Sequence, residues 1–75
     1  MIAAQLESLL LTRLIRAHGG NRLRWRRALG PVRIYDVATH AHCNWSVTPS
    51  GNFGENRLIE ELCDDVRGEH PIVTA

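Results

Sequence analysis

The stretch RLRWRRALGPVRIYDV, residues 22–37, carries the pattern on which the predicted fold class depends. Arginine alternates with apolar residues at its start, so Leu23 and Trp25 share one side and the arginines share the other. A period of two is typical of a β-strand with one solvated face. The Gly30-Pro31 turn and the β-branched and aromatic residues that follow it favour a second strand. We therefore expect an Arg-rich β-hairpin.

A third strand is indicated by residues 43–47, where apolar and polar side chains alternate again. Residues 32–47 therefore form either one long bent strand or two strands joined at His40, and we favour two. Trp25 and Trp45 both fall on inward phases of their predicted strands. We expect each tryptophan to pack in the core, with its indole N–H bonded at the edge.

Residues 2–17 show the spacing of an amphipathic helix, with no glycine or proline before the glycine pair at 19–20. Leu11 and Ile15 form a second flank, so the apolar surface is wider than one stripe. Such a surface is either buried within the domain or forms a homodimer interface. The predicted inward positions are Ile2, Leu6, Leu9, Leu10, Leu14 and Ala17.

A second helix is predicted to begin near Phe53, because Asn52 and Glu55 have the spacing of a capping box. Phe53 is expected to act as a hydrophobic staple over this helix. Gly68 is placed to end it, with Pro71 soon after as a stop. The predicted inward stripe comprises Leu58, Ile59, Leu62, Cys63 and Val66.

The resulting order is helix, two or three antiparallel strands, helix, with both helices on one face of the sheet. The predicted fold is an α+β two-layer sandwich. A chain of 75 residues has room for one small core, so residues 1–75 are expected to form a single domain. The content of hydrophobic residues, 44%, and of charged residues, 23%, is that of an ordinary globular domain rather than a disordered chain.

Charge is distributed unevenly along the chain. Residues 1–35 contain seven Arg and one Glu, giving +6, whereas residues 36–75 contain two Arg and seven Asp or Glu, giving −5. One interpretation is structural: the two halves neutralise each other within the fold or across a dimer. The other is functional, with exposed charge that recognises a partner.

The functional interpretation predicts a small, non-enzymatic accessory or regulatory protein that binds another protein. Arginine suits bidentate contact with phosphate or guanine, so a nucleic-acid-binding accessory protein using the Arg-rich hairpin is the alternative. The isoelectric point near 7.9 is low for such a protein. A homodimer through the N-terminal helix is a further expectation. The candidate partner-binding residues are Arg22, Arg24, Arg26 and Arg33 on the hairpin and Glu60, Glu61 and Asp64 on the second helix.

A small zinc-binding domain is a second alternative, because His40, His42 and Cys43 are metal-ligand residue types. On a regular strand, however, Cys43 points away from the two histidines, and no paired C-x-x-C or H-x-x-x-H motif is present. We therefore expect no metal or other cofactor. Cys43 and Cys63 are predicted to remain reduced and to pack as small hydrophobes.

The motifs of common enzyme classes are missing: the sequence has no Gly-rich phosphate loop, G-x-S-x-G or H-E-x-x-H. It also lacks an apolar run long enough to span a membrane, since residues 9–11 are followed by Thr12 and Arg13. The N-terminal residues do not have the order of a secretory signal. We expect a non-enzymatic, cytoplasmic protein with no membrane partner.

Overall fold

The computed structural model describes residues 1–75 and contains three helices and a two-stranded antiparallel sheet. In chain order the elements are α1 (Ala3–His18), α2 (Arg22–Leu29), β1 (Arg33–Ile34), β2 (Trp45–Ser46) and α3 (Phe53–Glu69). The predicted α+β class is confirmed. The arrangement departs from the prediction at one element, because the Arg-rich segment forms a helix.

The predicted strand over residues 22–27 is wrong, and so is the hairpin built on it, because these residues lie in α2. The Oδ1 atom of Asn21 caps the helix by accepting from the backbone N–H of Leu23, 2.7 Å, and of Arg24, 3.3 Å. Helical winding also places Trp25, Ala28 and Leu29 on one buried face. The i, i+3, i+4 spacing of these three residues therefore prevails over the alternation that precedes them.

A tight turn at Gly19-Gly20-Asn21 joins α1 to α2. The two glycines have φ values of 71° and 94°, which side chains other than hydrogen strongly disfavour. The indole N–H of Trp25 donates to the carbonyl of Gly19 over 2.8 Å, fixing the turn against the start of α2. The inward position and the satisfied N–H expected for Trp25 are both confirmed.

The buried face of α1 consists of four leucines that are 0–1% exposed: Leu6, Leu10, Leu11 and Leu14. They pack with residues from α2 and α3 in one cluster of buried apolar side chains. The predicted stripe is too long at both ends, since Ile2 and Ala17 are exposed. Ile2 is the N-cap of α1, and Ala17 lies in its last turn.

The small sheet pairs Arg33 with Ser46 and Ile34 with Trp45. A turn separates the strands, in which the Oδ1 atom of Asp36 accepts from the N–H of Ala38 over 2.8 Å. Two strands rather than one bent strand therefore occupy residues 32–47, as predicted. The sheet is short, and the helices supply most of the core.

Asn44 connects the sheet to the C-terminal tail. Its Nδ2 donates to the carbonyls of Tyr35, 3.2 Å, and Val73, 2.7 Å, and its Oδ1 accepts from the N–H of Val73 over 2.8 Å. Beyond Val73 the tail forms a parallel bridge between Thr74 and Ile2. Both ends of the chain are thereby held beside the sheet formed by β1 and β2.

The capping box of α3 is confirmed: Asn52 accepts from the N–H of Glu55 over 2.8 Å, and Glu55 accepts from the N–H of Asn52 over 2.9 Å. Gly68 was predicted to end this helix, and that prediction is wrong, because α3 continues to Glu69. Pro71 lies just past the helix end, where it was predicted to stop it. In the predicted stripe, Ile59, Cys63 and Val66 are buried and Leu58 and Leu62 are half-buried.

The second tryptophan packs as predicted. Trp45 is buried, and its indole N–H donates to the carbonyl of His70 over 2.8 Å. Phe53 is not a staple: it is the first residue of α3 and is 87% exposed. A staple stands before the N-cap, where this chain has Gly51.

Candidate functional site

The arginines predicted on one ribbon face lie on two different elements. Arg22, Arg24 and Arg26 project from α2, whereas Arg33 is exposed on β1. Helical winding adds Arg27, which the alternating pattern did not single out. Since α2 contains no acidic residue, its eight residues carry four positive charges.

Two of these arginines are neutralised within the chain. Arg24 contacts Glu55 of α3 through two bonds, Nε to Oε2 at 2.9 Å and Nη2 to Oε1 at 2.6 Å. Arg26 on the opposite flank of the helix lies 3.2 Å from the carboxylate of Glu7 in α1. For Arg24 and Arg26 the structural interpretation of the charge pattern therefore holds.

The Arg24 guanidinium lowers the pKa of the Glu55 carboxyl, and the backbone N–H bond within the capping box lowers it further. A similar bidentate pair joins Arg13 of α1 to Glu69 at the end of α3, with bonds of 2.7 and 2.6 Å. The Arg13 hydrogen bond lowers the pKa of Glu69. Two ion pairs thus connect the basic N-terminal half to the acidic helix.

The two remaining arginines of α2 form no ion pair. Arg22 donates to the hydroxyl of Ser8 over 3.2 Å, and the guanidinium of Arg27 contacts no polar group of the chain. Leu23, four residues before Arg27 on the same face, is 55% exposed. We call Arg22, Leu23, Arg26 and Arg27 the outer face of α2.

The segment before α3 lies against the C-terminal end of α2. Ser50 donates from its backbone N–H to the carbonyl of Ala28, 2.8 Å, and from its hydroxyl to the carbonyl of Arg27, 3.1 Å. Phe53 follows three residues later, with its ring in solvent. The sequence places Phe53 at the start of a helix, but its exposure depends on how α3 docks against α2.

The acidic candidates lie on the outward face of α3. Glu61 pairs with Arg57 at 3.1 Å, and Asp64 pairs with Arg67 at 2.8 Å. Glu60 is exposed and forms no ion pair. These are pairs along one helix surface, where charges are solvated and each pair contributes little stability.

The metal-ligand candidates do not converge. The His40 ring stacks on Tyr35 with centroids 4.4 Å apart, whereas the Cys43 thiol donates to the carbonyl of Trp45 over 3.5 Å. His42 is exposed, and no three His, Cys, Asp or Glu side chains of the chain are arranged to hold a metal ion. The turn after β1 therefore does not bring the three candidates to one point.

Both cysteines are free thiols. Cys63 is buried in the core, and burial raises its pKa to about 11. Cys43 is half-buried and packs against the same cluster. Their positions match the small-hydrophobe role predicted for them.

None of the helices combines the length and the apolar character needed to cross a lipid bilayer.

Similarity to known proteins does not assign this chain to a family. Comparison with protein-family models, with curated proteins and with solved structures gives no significant match.

Proposed function

We propose that this chain is a small, non-enzymatic accessory or regulatory protein that binds another protein through the outer face of α2. The observation that carries the proposal is an exposed leucine flanked by two arginines that form no ion pair, Arg22 and Arg27. Arginine is enriched among the residues that contribute most to binding at protein interfaces, and an exposed apolar side chain gains free energy when a partner covers it. The non-enzymatic part rests on the lack of a catalytic motif in the sequence.

The paired and unpaired arginines support different roles. Arg24 and Arg26 hold α2 against α3 and α1, so their charges are already compensated. Arg27 has no such role within the chain, and its five N–H donors are free to meet a carboxylate in bidentate geometry. Covering the 55% of Leu23 that is exposed would add roughly 1–1.5 kcal/mol of favourable apolar burial, about half the value for a fully exposed leucine.

Affinity capture from the native host tests this function. The bait is the intact chain, and Arg27→Glu reverses the charge on the outer face of α2. Arg16→Glu is the matched control, because Arg16 is also exposed and forms no ion pair but lies on α1. We expect a protein that binds the wild type and the control but not Arg27→Glu. An identical set of captured proteins on all three baits rejects the proposal.

Nucleic-acid binding is the second candidate, and the α1–α2 connection favours it. Gly19-Gly20-Asn21 has the length of the turn in a helix-turn-helix, and arginines cover the helix that follows. Glu7 and Glu55 flank that helix, however, and would repel a phosphate backbone. Retention on DNA that falls steeply with salt and is lost in Arg27→Glu would establish this alternative in place of the first.

A homodimer through α1 is a separate proposal from the sequence. With its four buried leucines committed to the core, α1 would have to use Leu9 and Ile15, which are half-buried. Sedimentation equilibrium of the wild type and of Ile15→Asp tests it. A dimer that the substitution abolishes supports it, and a monomer at all concentrations rejects it.

A further inference from the structure

We infer that the outer face of α2, together with Phe53, binds an acidic protein segment that carries a large apolar side chain. The inference rests on the proposed function and specifies the chemistry of the partner. Carboxylates of the segment pair with Arg22 and Arg27, and its apolar side chain covers Leu23 and Phe53.

Arg27 lies between the two exposed apolar residues. Leu23 is one helical turn before it, which separates their Cα atoms by about 6 Å along the axis. On the other side, the carbonyl of Arg27 accepts from the hydroxyl of Ser50 over 3.1 Å. The Cα atom of Phe53 is at most about 11 Å from that of Ser50, because only three peptide units separate them. A short segment therefore reaches all three side chains.

The charge of this surface selects an acidic segment. Of the four arginines on α2, Glu55 and Glu7 compensate two, which leaves a local excess of two positive charges. Arg22 has only a hydroxyl partner, and Arg27 has none. A carboxylate gains two parallel hydrogen bonds from a guanidinium, whereas a basic segment would be repelled.

The exposed apolar residues add a requirement beyond charge. Phe53 is the most exposed large hydrophobic side chain of the chain, and Leu23 is the second. Neither contributes to the buried core. Leu23 lies on the outer face of α2, and Phe53 follows three residues after Ser50, which bonds the carbonyl of Arg27. A segment with an apolar side chain therefore binds better than one with carboxylates alone.

Selection from a random dodecapeptide library on the immobilised intact chain tests the inference. We expect the enriched peptides to combine Asp or Glu with Leu, Ile, Phe or Trp. The dissociation constant of a selected peptide should rise about tenfold or more in Arg27→Glu and in Phe53→Ser, and stay unchanged in Arg16→Glu. All three positions are exposed, and thermal melting by circular dichroism verifies that each variant is folded.

Several results would overturn the inference. Enriched peptides without acidic residues would contradict the requirement for negative charge. Polyglutamate that binds as tightly as the selected peptides would contradict the requirement for an apolar side chain. A DNA duplex that displaces the selected peptides assigns the surface to nucleic acid, and a dimer that Arg27→Glu dissociates assigns it to a second copy. If host capture depends on Arg27 but the peptides are not acidic, only this inference fails; if host capture is independent of Arg27, the proposed function fails.

Discussion

Asn44 shows how one buried polar residue can connect segments that are far apart in the chain. It is 2% exposed, and its amide bonds both the N–H and the carbonyl of Val73 as a neighbouring strand would. It also reaches back to the carbonyl of Tyr35 on the other side. The Asn44 side chain replaces the backbone hydrogen bonds of a third strand, and it thereby holds the C-terminal tail beside the two-stranded sheet.

The first prediction concerns this residue. Asn44→Ala leaves the N–H of Val73 without its partner and removes a donor from two carbonyls, so we expect the free energy of unfolding to fall by about 3 kcal/mol. Urea denaturation measures the change. Ser46→Ala is the control, since it removes only the hydroxyl contact with Tyr35, and should cost under about 1 kcal/mol. Equal losses in the two variants would contradict the role given to Asn44.

At the scale of elements, α2 is the segment whose local sequence pattern and observed structure differ. The alternation of residues 22–26 matches a strand, yet arginine and leucine are also good helix formers. Asn21 is the N-cap of the helix and Gly30 is its C-cap, and the strand prediction, which depended on the period of two, did not use this local signal. α3 was easier to predict, because its cap and its apolar stripe indicate the same period.

The second prediction compares two glycines. Gly68 lies inside α3 with open space around it, so Gly68→Ala should raise the free energy of unfolding by about 0.5–1 kcal/mol. Gly20→Ala should lower it by about 1–3 kcal/mol, because φ is 94° and the new Cβ would lie 3.2 Å from the indole nitrogen of Trp25. Thermal melting of both variants checks the opposite signs. Destabilisation by Gly68→Ala would indicate that α3 ends before that position.

The third prediction also belongs to one element, the turn after β1. His40, His42 and Cys43 do not converge there, so we expect a chelator to leave the melting temperature of the purified protein unchanged. Added zinc should likewise leave the melting temperature unchanged, both in the wild type and in the double variant His40→Ala/His42→Ala. A melting temperature that falls with chelator and recovers with zinc would revive the zinc-binding alternative.

Over the whole molecule, ion pairs between the N-terminal and C-terminal halves of the chain link stability to pH. Arg24 and Arg13 lower the pKa of Glu55 and Glu69 in the folded state from the ordinary value of 4.5. A lowered carboxyl pKa contributes stability that is fully present above the ordinary value and is lost as pH falls through the folded-state value. The pairs are solvent-exposed, so salt weakens them as well.

The fourth prediction follows from this linkage. The melting temperature should fall as pH decreases below about 4.5, and Arg13→Leu/Arg24→Leu should show a shallower fall than the wild type. Arg57→Leu, which removes only a pair along α3, is the control and should follow the wild-type profile. Differential scanning calorimetry at low salt measures the three profiles. Parallel profiles for the wild type and the double variant would rule out these two pairs as the source.

The sequence by itself determined the two long helices, the capping box at Asn52 and the inward position of Trp45. Each of these depends on neighbours within a turn or two of the same segment. Only the tertiary structure decided that residues 22–29 form a helix and which arginines are left unpaired. The physical reason is that the alternating segment fits either period locally. Only as a helix does it bury Trp25, Ala28 and Leu29 together while presenting Arg24 to Glu55 and Arg26 to Glu7.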